Sequence, residues 1–143
     1  MLHHISIRTA DIHRSIAFYS ALGFEMSERF TTGYTLACWL VGQQSRLELI
    51  QIPEPHPAPD AFHDEHYVGY YHLALDVTSE ATDLTSWLNN WKVRLIAQPE
   101  HSIAPQILLA PHQQQIGDHI YEVAFIADPD GLPIELLRHV SLG

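Results

Sequence analysis

Two stretches of this chain carry the same pattern. A chain that repeats one supersecondary unit is confined to folds in which the copies pack against each other around a common core. Residues 2–9 alternate as a half-buried strand does, with Ile5 and Ile7 on one side and His4, Ser6 and Arg8 on the other. Asp11 is placed to cap a helix whose apolar stripe is Ile12, Ile16, Tyr19 and Leu22, and Gly23 closes it. Strands are expected at Phe24–Phe30, at about Thr35–Val41 and at Arg46–Ile52, the last with Glu48 in its middle. The second copy opens with Tyr70–Val77, where Leu73, Leu75 and Val77 share one face and His72, Ala74 and Asp76 the other. Ser79 is the expected cap of a second helix, marked by Leu84, Trp87, Leu88 and Trp91. Val93–Gln98 reads as a strand, and the polar stretch 99–119, with Gln113-Gln114-Gln115, as a long loop. Tyr121–Ala127 and Pro133–His139 read as strands joined by the turn Asp128-Pro129-Asp130-Gly131. Four prolines (Pro53, Pro55, Pro57 and Pro59) introduce a connector without a core of its own. The expected organisation is one domain, with module 1 at about 1–53, the connector at 54–68 and module 2 at about 69–143.

The repeat aligns four chemically telling residues. His4 and His72 stand near the start of the two opening strands, on the polar face. Glu48 and Glu135 stand in the closing strands, within Leu47-Glu48-Leu49 and Ile134-Glu135-Leu136. A carboxylate among branched aliphatics is costly unless it is paired or binds a metal. Taken singly, each histidine is an ordinary strand residue. At matching positions of a repeat, packed about a pseudo-twofold axis, the four become one cluster. Two imidazoles and two carboxylates make a good divalent transition-metal site, and Ni, Zn, Co, Mn or Fe would all be accepted. Two other groupings have ligand chemistry. His63-Asp64-Glu65-His66 lies in the Pro-rich connector and reads as a solvated loop, and His119 with Glu122 flanks the start of a strand.

Composition removes several classes of partner. The formal charge is −10, with 17 acidic residues against 7 basic ones, which argues against nucleic acid. No apolar run approaches the roughly 18–20 residues of a membrane helix, and no signal-peptide core opens the chain. The single cysteine, Cys38, fits a reducing compartment, and the expected location is cytoplasmic. A small molecule is the expected partner.

At these residues the chain resembles the vicinal oxygen chelate superfamily, the glyoxalase, bleomycin-resistance and extradiol-dioxygenase group. Leu2-His3-His4-Ile5-Ser6-Ile7, then Asp11–Tyr19 and Leu22-Gly23-Phe24, is similar to that family's first strand and helix. Tyr71-His72-Leu73-Ala74-Leu75 is similar to the opening of its second module, and Ala127–Gly131 with Ile134-Glu135-Leu136 to its closing signature. The resemblance implies an α+β fold of two βαβββ modules forming curled mixed sheets around a metal cavity. It also implies a homodimer in which His4 and Glu48 of one subunit meet His72 and Glu135 of the other.

The ligand count bears on the reaction. Four protein ligands on an octahedral metal leave two open positions, enough for the two oxygens of an enediolate. An iron dioxygenase normally uses two histidines and one carboxylate. Glu48 therefore favours a glyoxalase-like lyase or isomerase, with lactoylglutathione lyase as the narrowest form. An extradiol-type iron dioxygenase and a non-catalytic, bleomycin-resistance-like binding protein are the alternatives. Resemblance to glyoxalase I makes Glu135 the catalytic base, with Glu48 as its counterpart, and makes Arg8 the residue that binds a substrate carboxylate. After Glu48 the chain reads Leu49-Ile50-Gln51-Ile52-Pro53, without the Thr and Asn that follow this glutamate in glyoxalase I.

Overall fold

The computed structural model of the chain describes residues 1–98 and 103–140. The first half runs β1 (Ile5–Thr9), α1 (Ile12–Ala21), β2 (Glu25–Thr32), β3 (Thr35–Gly42) and β4 (Ser45–Gln51). The second runs β5 (Leu73–Asp76), α2 (Leu84–Ile96), β6 (Ile107–Ile116), β7 (His119–Ala127) and β8 (Pro133–His139). Each half builds a four-stranded mixed sheet, in the orders β1-β4-β3-β2 and β5-β8-β7-β6. In each, the opening strand pairs parallel to the closing strand and the other pairings are antiparallel. The chain thus has the expected α+β architecture of two βαβββ modules, with open sheets in place of closed barrels.

The first helix forms where its cap predicts. The Asp11 carboxylate accepts from the backbone N–H groups of His13 and Arg14, at 3.1 and 3.2 Å. Gln51 adds a further cap, since its side-chain carbonyl accepts from the Ile12 N–H at 3.0 Å. Gly23 then leaves the helix at φ +95°, a left-handed conformation that glycine adopts without a steric penalty.

The second half departs from expectation in three places. Asp83, not Ser79, caps α2, and its carboxylate accepts from the Ser86 N–H at 2.7 Å. The stripe of Leu84, Trp87, Leu88 and Trp91 continues one turn further to the buried Leu95. Val93–Gln98 is therefore no strand: the helix runs to Ile96, and Val93 and Ile96 lie on its exposed side. The stretch expected as a loop contains β6, which pairs with β7 across a turn at Gly117 (φ +60°), while residues 99–102 lie outside the described residues. β6 is an edge strand with most of its side chains exposed, so it lacks the apolar alternation that marks a half-buried strand.

One apolar cluster runs through both halves. It joins Ile7, Phe18, Tyr19 and Leu49 to Leu75, Leu84, Trp91, Ile126 and Leu136. The rings of Phe18 on α1 and Trp91 on α2 meet edge to face at 6.0 Å. Among the described residues no helix is long and apolar enough to cross a membrane.

The turn Asp128–Gly131 fastens the second module to the first. The Asp128 carboxylate, only 3 % exposed, accepts from the N–H groups of Asp130 and Leu132, both at 2.9 Å, and from the Tyr19 hydroxyl at 3.0 Å. The Asp130 carboxylate accepts from the Thr9 hydroxyl at 2.6 Å and from Arg14 at 3.3 Å. Burial pushes the Asp128 carboxyl above the ordinary aspartate range, and the three donors oppose that shift. Tyr19→Phe removes the donor that module 1 supplies to Asp128 and leaves a buried carboxylate short of a partner. Urea denaturation should show a loss of about 2 kcal/mol; an unchanged midpoint would mean that water or the backbone replaces the hydroxyl.

Candidate functional site

Strand alternation decides which side chains are available. In β1, Ile7 and Thr9 are buried while Ser6 and Arg8 are exposed. In β4, Leu47 and Leu49 are buried while Glu48 and Ile50 are partly open. β8 repeats this with Ile134 and Leu136 buried and Glu135 and Leu137 partly open. Each sheet thus turns one face to the shared core and leaves the other accessible, and the candidate ligands lie on the accessible faces.

Register makes the two faces correspond residue by residue. Glu48 lies between Ser6 on β1 and Trp39 on β3, and Glu135 lies between Ala74 on β5 and Phe125 on β7. His4 and His72 each precede the opening strand by the same step. His4 Nε2 is 3.5 Å from Glu48 Oε1, and His72 Nε2 is 3.4 Å from Glu135 Oε2. The Glu48 and Glu135 side chains are 14 % and 17 % exposed, so both pairs are shielded without being sealed.

The two carboxylates are not held alike. Glu48 accepts from the Ser6 hydroxyl and from the Trp39 indole N–H, both at 2.9 Å. The Trp39 N–H foremost, with the Ser6 hydroxyl and the charges of His4 and His3, holds the Glu48 carboxyl below its usual range against the opposing effect of burial. Ala74 and Phe125, at the matching positions of module 2, have no side-chain donor to offer Glu135.

Within one chain the four predicted ligands form two pairs. Among the described residues, no three His, Cys, Asp or Glu side chains converge on one point. His4 meets Glu48 and His72 meets Glu135, but the pairs do not meet each other. Two ligands about 2.1 Å from one ion would stand about 3.0 Å apart at an octahedral angle and about 3.4 Å apart at a tetrahedral one, so the separations of 3.4–3.5 Å are within a small side-chain adjustment of either. Each pair therefore fits half of a four-ligand set for a divalent metal.

Arg8 stays on the accessible face beyond His4 and Ser6. It lines a cleft of about 790 Å³ between β1 and the connector prolines, which Asp130 also borders. The rival groupings find other uses. His63 closes a local turn with Asp60 at 2.8 Å, and Glu122 is taken by Arg138 at 2.8 Å. His119 lies against His139, at 3.3 Å, instead of Glu122. Sequence reasoning passed over Ser6 and Trp39 as supports of Glu48. Their signal was present: Ser6 follows His4 by two on the polar face, and Trp39 alternates with the buried Cys38 and Leu40.

A family model described as the Glyoxalase/Bleomycin resistance protein/Dioxygenase superfamily matches residues 1–136. Among solved structures, a glyoxalase family protein from Enterococcus faecalis is 18 % identical with a TM-score of 0.72, over 96 % of this chain and 97 % of that one. A glyoxalase family protein from Bacillus cereus is 15 % identical with a TM-score of 0.70, over 98 % and 94 %. A bleomycin resistance determinant encoded on the transposon Tn5 is 22 % identical with a TM-score of 0.62, over 96 % and 97 %. At these identities the likeness speaks for the fold. Among curated proteins, none matches the chain.

The donors to Glu48 give a pH-dependent prediction. Because its folded-state pKa is lowered, Glu48 contributes stability above its unfolded-state pKa, and that contribution is lost as pH falls through the folded-state value. Trp39→Phe should raise the folded-state value. The stability gap between wild type and this variant, from urea melts across pH, should be constant near neutrality and narrow on acidification. A gap independent of pH would assign Trp39 to packing alone.

Proposed function

The chain belongs to the glyoxalase/bleomycin resistance protein/dioxygenase superfamily, and on that premise we propose that it is a metal-dependent lyase or isomerase of glyoxalase type, with sites shared between two copies of the chain. The observation that carries this reading is the pair of equivalent half-sites, His4 with Glu48 and His72 with Glu135, each on an accessible sheet face. The complement to one half-site is the other half-site of a second copy, as a twofold dimer would supply. A divalent ion held by these four residues would supply Lewis acidity toward the oxygens of a carbonyl substrate and leave two positions for them.

The unequal support of the two carboxylates suggests how the roles divide. Glu48 cannot shift without giving up its hydrogen bonds from Ser6 and Trp39, which suits it to a fixed position. Glu135 has no such restraint. It is suited to take a proton from the carbon next to the carbonyl and return it to the neighbouring carbon, as a general base and then a general acid. Arg8, on the same strand face as His4, is suited to pair with a substrate carboxylate. Lactoylglutathione lyase is the narrowest form of this proposal, and isomerisation of hemithioacetals of 2-oxoaldehydes is the assay for it.

Elemental analysis of the purified protein should find nickel or zinc at about one ion per chain. Iron, with oxygen uptake on catechols, would move the assignment to a dioxygenase. Absence of metal after gentle purification would move it to a non-catalytic binding protein. Glu135→Gln should lower turnover by about 100-fold or more, and retention of most activity would remove Glu135 from the base role. Complementation tests the shared site. A chain carrying His4→Ala and Glu48→Ala, mixed with one carrying His72→Ala and Glu135→Ala, should regain activity, because each heterodimer then has one intact site. No recovery after denaturation and refolding of the mixture would place each site within a single chain.

A further inference from the structure

Phe125 is 8 % exposed, yet it stands apart from the apolar cluster that joins the two modules. What covers it is local to the candidate site. Its ring meets the His72 imidazole at 5.1 Å and 89°, stacks on Tyr71 at 6.2 Å and 28°, and meets Phe62 at 5.2 Å. Phe125 is also the cross-strand neighbour of Glu135. Phe62 comes from the connector, which the sequence presents as having no core of its own. Its place there is set by a local turn, in which the Asp64 N–H donates to the Asp60 carbonyl and the Asp60 carboxylate accepts from the His63 N–H. The connector therefore carries an aromatic ring to the edge of a half-site while contributing nothing to the shared core.

Resting on the shared-site function proposed above, we propose that Phe62, Tyr71 and Phe125 form a subsite for an aromatic or flat apolar substituent of the substrate, beside the oxygens chelated at His72 and Glu135. Phe125, 8 % exposed, backs it from beneath the other rings. Tyr71, 44 % exposed, and the half-buried Phe62 are its walls, with ring faces available for stacking. The charges beside the subsite select further. Asp64 and Glu65, two and three residues after Phe62 in the connector, line a cavity together with Phe62 and Tyr71, so an anionic substituent is disfavoured there. The other half-site matches in kind: Trp39 lies 6.0 Å from the His4 ring and 5.4 Å from that of Phe30. Both sheet faces thus present rings next to the chelating residues. The substrate class this surface fits is a vicinal-oxygen compound bearing an aromatic group, in preference to one bearing a doubly carboxylated peptide tail.

The test compares two probes with the same chelating group. Benzohydroxamate and acetohydroxamate present identical pairs of oxygens to a metal and differ only in phenyl against methyl. Titrated into the metal-loaded protein, benzohydroxamate should bind about 10-fold more tightly. In Phe62→Ala that preference should fall to about two-fold, and in Phe62→Ala combined with Tyr71→Ala it should vanish. The ratio cancels any general change in metal affinity. Equal binding by wild type, or a preference that survives both substitutions, overturns the aromatic subsite and leaves the chelation reading standing. Failure of both hydroxamates to bind overturns the chelation reading and the subsite with it.

Discussion

A β-strand can turn only one of its two faces toward a helix, and this division organises the molecule. Both sheets spend one face on the same apolar cluster, in which Leu47 and Leu49 from β4 and Ile134 and Leu136 from β8 take part. The residues between them have no place in that cluster and must face outward. Glu48 and Glu135 are those residues. Their position on an accessible face follows from the period of two along the strand, and so does their neighbourhood, because the pleat places His4 and His72 on the same side. The fold thus separates a chemically inert layer from a polar one without any special device at the site.

The two modules keep the same frame and differ in what fills it. Matching register sets Ser6 against Ala74 and Trp39 against Phe125. One carboxylate is thereby held by two hydrogen bonds and the other lies against a methyl group and a ring. A repeat that supplied two equal glutamates would have no reason to use them differently. The substitution of donors by apolar groups at two positions is enough to make the two carboxylates differ in what holds them. The same exchange removes the hydrogen-bonding part of one surround and keeps its ring, and Phe62 of the connector adds another.

The helices and turns show where local signals suffice. Asp11, the stripe from Ile12 to Leu22 and Gly23 describe α1 completely, because a cap and a periodic face are local properties. Pro133–His139 has the boundaries of β8, since an apolar run after a glycine-containing turn admits few alternatives. The errors gathered where local preference and packing disagree. Val93 and Ile96 are β-branched and suggest a strand, yet Leu95 lies one turn beyond Trp91 and its burial carries the helix past them. β6 buries no side chain fully because it closes the edge of its sheet, and no periodicity marks such a strand. Asp83 and Ser79 can both cap a helix, and only the position of the packed stripe chooses between them.

By itself the sequence determined the repeat, the faces of most strands, and the residue types of the two His–Glu pairs. These depend on short-range periodicity, which the order of residues states directly. The turn Asp128–Gly131 was equally legible as a turn. Tertiary structure alone decided that it would clasp Tyr19, Thr9 and Arg14, residues more than a hundred positions away. It also decided that Gln51 would cap α1, that Ser6 and Trp39 would hold Glu48, and that Phe62 would reach Phe125. Each of these contacts joins residues whose proximity depends on how sheets and helices pack, and packing is a property of the whole chain that no local window contains.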